Sequence, residues 1–215
     1  MKKKLLVMAA LVIIVSFAKA QFEGSYVMKI DEEGAKAGQP VEMKFVVKGN
    51  MATMEMLNMN NKGYGKTIIN SKEKTMTTLV ESGANKMAMK TGMQGFNPSA
   101  AEKPKITETG KTKVIEGYKC KEIIVESADN TSDMWTTTEL GLSMTDVLGF
   151  AGSGRATNLE RFYADKGVSL ETTITNKKDN KKTTMYIKDI KKSPVSTSEF
   201  SIEGYKLMEA PAMNR

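Results

Sequence analysis

The sequence predicts a mainly β fold: a curved antiparallel sheet or half-open β-barrel, with one or two short helices on its concave face. Three observations predict it. Apolar and polar residues alternate in one short run after another; small polar turns separate the runs; and a single long segment carries helical spacing instead.

The runs begin with "FEGSYVMKI", where Phe22, Gly24, Tyr26, Met28 and Ile30 share one parity. "VEMKFVVKG" repeats the pattern with Val41, Met43, Phe45 and Val47. Successive side chains of a strand point to opposite faces, so this period of two marks half-buried strands. Asp31-Glu32-Glu33-Gly34, the densest acidic cluster, lies between these two runs and reads as a hairpin turn. "YGKTIIN", "KTMTTLVE", "NKMAMK", "KITETGKTKVI", "GYKCKEIIVES" and "SDMWTTTE" follow. Then "GVSLETTIT" and "KKTTMYIKDI" flank the polar turn at Asn176–Asn180. Such close spacing favours antiparallel pairing and leaves little room for crossover helices. In "GYKCKEIIVES" the parity slips: Tyr118 and Cys120 share one face, Ile123 and Val125 the other. Either the strand bulges near Lys121-Glu122 or both faces are covered, and the bulge is the preferred reading. The pentapeptide "IEGYK" occurs at 115–119 and again at 202–206 with unrelated flanks. Each copy reads as a sharp turn into a strand, after which the tyrosine ring covers the core edge.

In "ELGLSMTDVLGFAGSG", Leu140, Met144, Val147, Leu148 and Ala151 fall at helical spacing. Ser143 with Asp146 resembles a capping box, and Gly152 and Gly154 end the run. A shorter turn is expected from Asn97, with Pro98 at the first helical position.

Residues 1–20 read as a secretory signal peptide: a Lys2–Lys4 start, an apolar run and Ala18-Lys19-Ala20 ahead of Gln21. The apolar run is short for a membrane span, and no later stretch is apolar enough for one. The expectation is cleavage after Ala20, export to the periplasm or beyond, and a single domain over 21–215. The leader carries four lysines and no acids, so 28 basic and 25 acidic side chains remain, a net +3. The lysines are dispersed, which argues against nucleic acid as a partner. Cys120 is the only cysteine and is expected to be buried; there are no histidines. Those counts remove Ser-His-Asp and Cys-His catalysis and zinc sites of the Cys/His type. No cofactor, metal site or catalytic residue is assigned, and the chain reads as a non-enzyme.

Seventeen methionines stand out, clustered in "MATMEMLNMN" and "MAMKTGM". Soft thioethers suit copper(I). On a strand, however, Met54 and Met56 share a face that Met51 and Met59 do not, whereas Met87, Met89 and Met93 do share parity. Methionine also suits cavities that accept apolar ligands of variable shape. The candidate lining is Met43, Phe45, Met54, Met56, Met87, Met89 and Trp135, beneath a helix contributing Met144, Val147 and Leu148. An ordinary filled core is the alternative, and both readings bury these residues.

"FEGSYVMKI", "TGKTKVIEGYKCKEIIVES", "MWTTTEL" and "SEFSIEGYKL" together resemble an exported Bacteroidetes-type family with a domain of unknown function. That family is distantly similar to LolA/LolB-like lipoprotein carriers. The resemblance implies a half-open antiparallel barrel with helices on its concave side and a lipid-type ligand, such as an apolar small molecule or a lipoprotein acyl chain. It supplies no catalytic residues. The function expected is an exported binding or carrier module for an apolar ligand. The alternatives are an envelope structural or interaction protein, or a methionine-rich copper(I)-binding protein.

Overall fold

The computed structural model describes residues 21–34, 40–57, 65–92, 104–143 and 166–209. Twelve strands form one curved, unclosed sheet. They are β1 (Glu23–Glu32), β2 (Val41–Lys48), β3 (Met51–Met56), β4 (Thr67–Asn70), β5 (Thr75–Ser82) and β6 (Asn85–Gly92), then β7 (Lys105–Ile115), β8 (Tyr118–Glu126), β9 (Asn130–Thr137), β10 (Val168–Asn176), β11 (Lys182–Lys192) and β12 (Lys206–Glu209). Their spatial order is β12-β6-β5-β4-β3-β2-β1-β11-β10-β9-β8-β7. Two antiparallel meanders, β1–β6 and β7–β11, thus meet where β11 docks on β1. Among the described strands, β12 on β6 is the one parallel pair. Among the described residues the helical structure is one 3-10 turn, Thr197–Phe200, and no helix is long and apolar enough to cross a membrane. The expected helix over 144–151 and the turn from Asn97 lie outside the described residues.

The first run sets the inward parity. Phe22, Tyr26 and Met28 are buried, and Tyr26 stacks on Phe45 of β2 at 5.1 Å between ring centroids. These side chains belong to the main core, with Val47, Ala52, Ile69, Ile123, Val125, Met134, Leu170 and Ile187. We call the side they occupy the core face. Gly24 shares this parity and pairs with Lys192, just ahead of a register shift between Ser25 and Val27. Its φ is +147°, and a Cβ there would lie 2.0 Å from the Lys191 carbonyl oxygen, so β11 approaches closer than any side chain allows.

A smaller core lies on the opposite, back face: Ile68, Leu79 and Ala88, packed by Met51, Phe200, Ile202 and Tyr205. β4 is therefore covered on both sides, Ile69 in one core and Ile68 in the other. The cover is a strap, residues 193–205, that runs from β11 to β12. Polar clamps hold it. Glu23 accepts from the Val195 N–H at 2.7 Å, Lys48 donates to the Val195 carbonyl at 2.6 Å, and Lys66 pairs with Glu199 at 2.6 Å. The Tyr205 hydroxyl donates to Glu81, and the Lys86 ammonium sits 5.5 Å from the Tyr205 ring centre.

The two IEGYK copies both turn into a strand, by different geometry. In the first, Glu116 and Gly117 both have positive φ (50° and 81°), a tight β7–β8 hairpin. In the second only Gly204 does, and Tyr205 N–H donates to the Ile202 carbonyl. Tyr118 then packs on the main core and Tyr205 on the smaller one. The expected bulge at Lys121-Glu122 is absent from β8, which pairs with β9 without a shift. The irregularity sits in β7, where Thr109–Lys111 stand opposite Glu122 alone. Both faces of β8 are covered: Cys120 and Glu122 are buried on one, Ile123 and Val125 on the other.

Gly24→Ala is expected to destabilise the fold by about 2 kcal/mol or more, because the new methyl meets backbone that cannot swing aside. Urea denaturation of the two proteins measures the difference.

Candidate functional site

The ladders fix which side chains share the core face. Tyr26 stands opposite Phe45, Phe45 opposite Met54, Met54 opposite Thr67, Thr67 opposite Thr78, Thr78 opposite Met89, and Met89 opposite Met208. A second row runs Met56, Met43, Met28, Ile187. A third runs Ile123, Met134, Thr172, Met185, Ile30. Met76 stands opposite Ile69 and Met87 opposite Val80, on the same side. Of the eleven methionines among the described residues, ten lie on this face: 28, 43, 54, 56, 76, 87, 89, 134, 185 and 208. The exception is Met51, which packs in the smaller core behind.

From β2 to β6 the core face carries no formal charge. Its residues are Val41, Met43, Phe45 and Val47, then Ala52, Met54 and Met56, then Thr67 and Ile69. Met76, Thr78, Val80 and Ser82 follow on β5, and Asn85, Met87, Met89 and Thr91 on β6. The back of the same strands carries Glu42, Lys44, Lys48, Glu55, Glu81, Lys86 and Lys90. Burial on the uncharged face falls toward the β6 side. Met43 is 8% exposed, Met54, Met56, Met76 and Met87 are half-buried, and Met89 is 42% exposed. The strip is uncharged throughout and accessible along one margin.

Of the candidates read from sequence, Met43, Phe45, Met54, Met56, Met87 and Met89 come together on one face. Two differ from expectation. Met89 is exposed; among the described residues only the four-residue β12 lies beyond β6. Trp135 has the opposite parity, because its neighbour Met134 takes the strip-facing position, and it packs half-buried against the main core on Cys120's side of the sheet. Met144, Val147 and Leu148 lie outside the described residues. Met28, Met76, Met134, Met185 and Met208 join this face unannounced. Met28 already shared parity with Phe22 and Tyr26, whereas the place of Met208 depends on a pairing between distant segments.

Trp135 sits in a polar cluster on the back of β7–β10. The Lys113 ammonium lies 4.2 Å from its ring centre and pairs with Glu171 at 2.9 Å. Lys111 pairs with Glu122 at 3.0 Å, and hydrogen bonds from Thr109 and then Lys111 hold that carboxyl below its ordinary range. Asp133 Oδ1 is buried without a hydrogen-bond partner. Burial first, and the Glu122 charge second, push its pKa above the ordinary 3.8. Cys120 is buried, and burial raises its thiol pKa, so this cysteine packs as a small apolar group. Among the described residues no three His, Cys, Asp or Glu side chains gather in a way that would hold a metal ion. An open cleft of about 180 Å³ lies elsewhere on the back, between the strap and β1–β2, with Ser25, Lys44, Ser193 and Ser196 on its walls. It is polar and below the usual size of a small-molecule site.

The raised Asp133 pKa has a definite sign. The folded state binds this proton more tightly than the unfolded one, so stability falls as pH climbs from the unfolded to the folded pKa and stays lowered above. Asp133→Asn is therefore expected to stabilise the protein near about pH 7 and to change little near about pH 3, read by urea denaturation at both.

No curated protein matches the sequence. Among solved structures, an uncharacterized conserved protein from Thermus thermophilus shares the fold, with TM-score 0.50 and 6% identity over 87% of this chain and 91% of that one. PNGF-II aligns with TM-score 0.49 and 15% identity over 87% of this chain, which spans only 31% of PNGF-II. A domain ascribed to outer membrane lipoprotein sorting, from Vibrio parahaemolyticus, aligns with TM-score 0.33 and 10% identity over 82% of this chain and 89% of that one. A family profile matches residues 22–204, from the first buried aromatic to the second IEGYK turn, and on that match the chain belongs to the family described as Domain of unknown function (DUF4412).

Proposed function

We propose that this protein is an exported, non-enzymatic binding or carrier module that takes an apolar, lipid-like or acyl ligand on its core face. The observation that carries this reading is the uncharged, thioether-rich face of β2–β6, half-buried toward its β6 margin. A face meant only to close a core would be sealed; this one leaves flexible apolar side chains in reach of solvent. An acyl chain laid along it would remove its own apolar surface from water, worth about 0.8 kcal/mol per buried CH₂ before the cost of association. Methionine suits that task because it has three rotatable bonds and a polarisable sulfur, so the strip adapts to chains of differing shape. Export follows from the leader-like residues 1–20.

A second reading, an envelope interaction protein, draws support from the unclosed sheet, whose outer strands β7 and β12 have a strand on one side only among the described residues. β7 is eleven residues long, and Val114 on it is exposed. Its bulge at Thr109–Lys111 and its three lysines are features that guard an edge against pairing, which favours the first reading.

Native mass spectrometry of gently purified protein, with uptake of a fluorescent fatty acid after delipidation, tests the proposal. Retained lipid or saturable uptake is expected, and Met54→Lys should weaken uptake by roughly tenfold or more by placing a charge on the strip. Lys90→Glu, on the back of β6, should leave it unchanged. The absence of both retained lipid and saturable uptake in the unmodified protein would overturn the proposal.

A further inference from the structure

The corner where β6 meets β12 holds an arrangement that an apolar strip does not require. Met87 and Met89 lie two residues apart on β6 and point to the same side. The parallel ladder sets Met208 of β12 directly beside Met89, and Lys206 beside Met87. Neighbouring strands are ~4.8 Å apart and the two-residue repeat is ~6.6 Å, so the three side chains leave the sheet from one small triangle. Each has three rotatable bonds with which to bring its sulfur to a common point. Met89 is 42% and Met208 47% exposed, in contrast to the buried Met28 and Met43 further in. Leucine would fill such positions equally well as an apolar group. Only the thioether carries a lone pair that can be donated.

We propose that Met87, Met89 and Met208 form a binding site for a soft monovalent cation, copper(I) in particular. Thioethers are soft, neutral donors and select copper(I) over harder ions. The surrounding chemistry sharpens that choice. Among the described residues the core faces of β5, β6 and β12 present no carboxylate, so hard divalent ions find no oxygen anion there. Lys206 is the one charge on those faces, and it repels a divalent ion twice as strongly as a monovalent one. The exposure of Met89 and Met208 gives the ion access without opening the core. The site is independent of the apolar-ligand reading, because it uses the solvent margin of the strip and needs no occupant further in.

Anaerobic titration of the full chain with Cu(I), in competition with a chromogenic Cu(I) chelator, tests the proposal. The chain should withhold Cu(I) from the chelator, and Met89→Leu or Met208→Leu should each weaken binding by roughly tenfold or more. Met51→Leu, on the back face, should bind as the unmodified chain does. Leucine preserves apolar bulk, so thermal unfolding should show every variant folded. X-ray absorption of the loaded, unmodified protein is a second readout that needs no variant, and coordination by sulfur alone is expected. Failure to compete for Cu(I), undiminished binding by Met208→Leu, or a nitrogen and oxygen coordination shell would each overturn the assignment.

Discussion

Everything in this structure depends on pairing register. A strand's side chains alternate with a period of two, so a slip of one residue would exchange the whole core face for the back face. In β2–β6 the ladders run without a shift, and the alternation in the sequence stays in phase across all five strands. The consequence is chemical. Uncharged residues, thioethers above all, collect on one side, and the lysines and glutamates of the same strands collect on the other. Where the phase does break, between Ser25 and Val27, at Thr109–Lys111 and between Ser169 and Glu171, the breaks fall outside this block.

The register is pinned from both faces. On the core side the stacked Tyr26–Phe45 pair joins β1 to β2, an interaction worth about 0.5–1.5 kcal/mol beyond area burial. On the back the strap is the lock. It fills the second core with Phe200, Ile202 and Tyr205 and is tied down by Glu23, Lys48 and Lys66. A hydrogen bond from Val195, and then Lys48, holds the Glu23 carboxyl below its ordinary range, so this clamp stays charged down to mildly acidic conditions. The strap also delivers β12 to the edge of β6, so the element that seals the back places a methionine at the margin of the front.

Much of this was legible in the sequence, for physical reasons that differ from place to place. The runs at 22–30 and 41–49 announce strands because their faces meet unlike surroundings, core on one side and water on the other. The parity of Met54, Met56, Met87 and Met89 was equally plain, since alternation is a local property. What stayed hidden depends on distant pairing. "MW" at 134–135 offers two large apolar residues, and only the partners Ile123 and Thr172 decide that methionine faces inward. The parity slip in "GYKCKEIIVES" looked like a bulge in that strand. Instead the neighbour bulges and both faces of β8 are buried, a solution written in Gly110 and its surroundings rather than in β8. β12 is four residues long, exposed, and pairs with a strand more than a hundred residues earlier, so no periodicity marks it.

The central claim, that one register gathers the thioethers on a single face, is tested most directly by methyl NMR of the protein labelled at methionine Cε. Residue-assigned cross-strand contacts are predicted for Met28 with Met43, Met43 with Met56, and Met89 with Met208, and none for Met51 with any of them. Contacts from Met51 to Met43 or Met56, or the absence of the Met43–Met56 contact in the folded protein, would contradict the account.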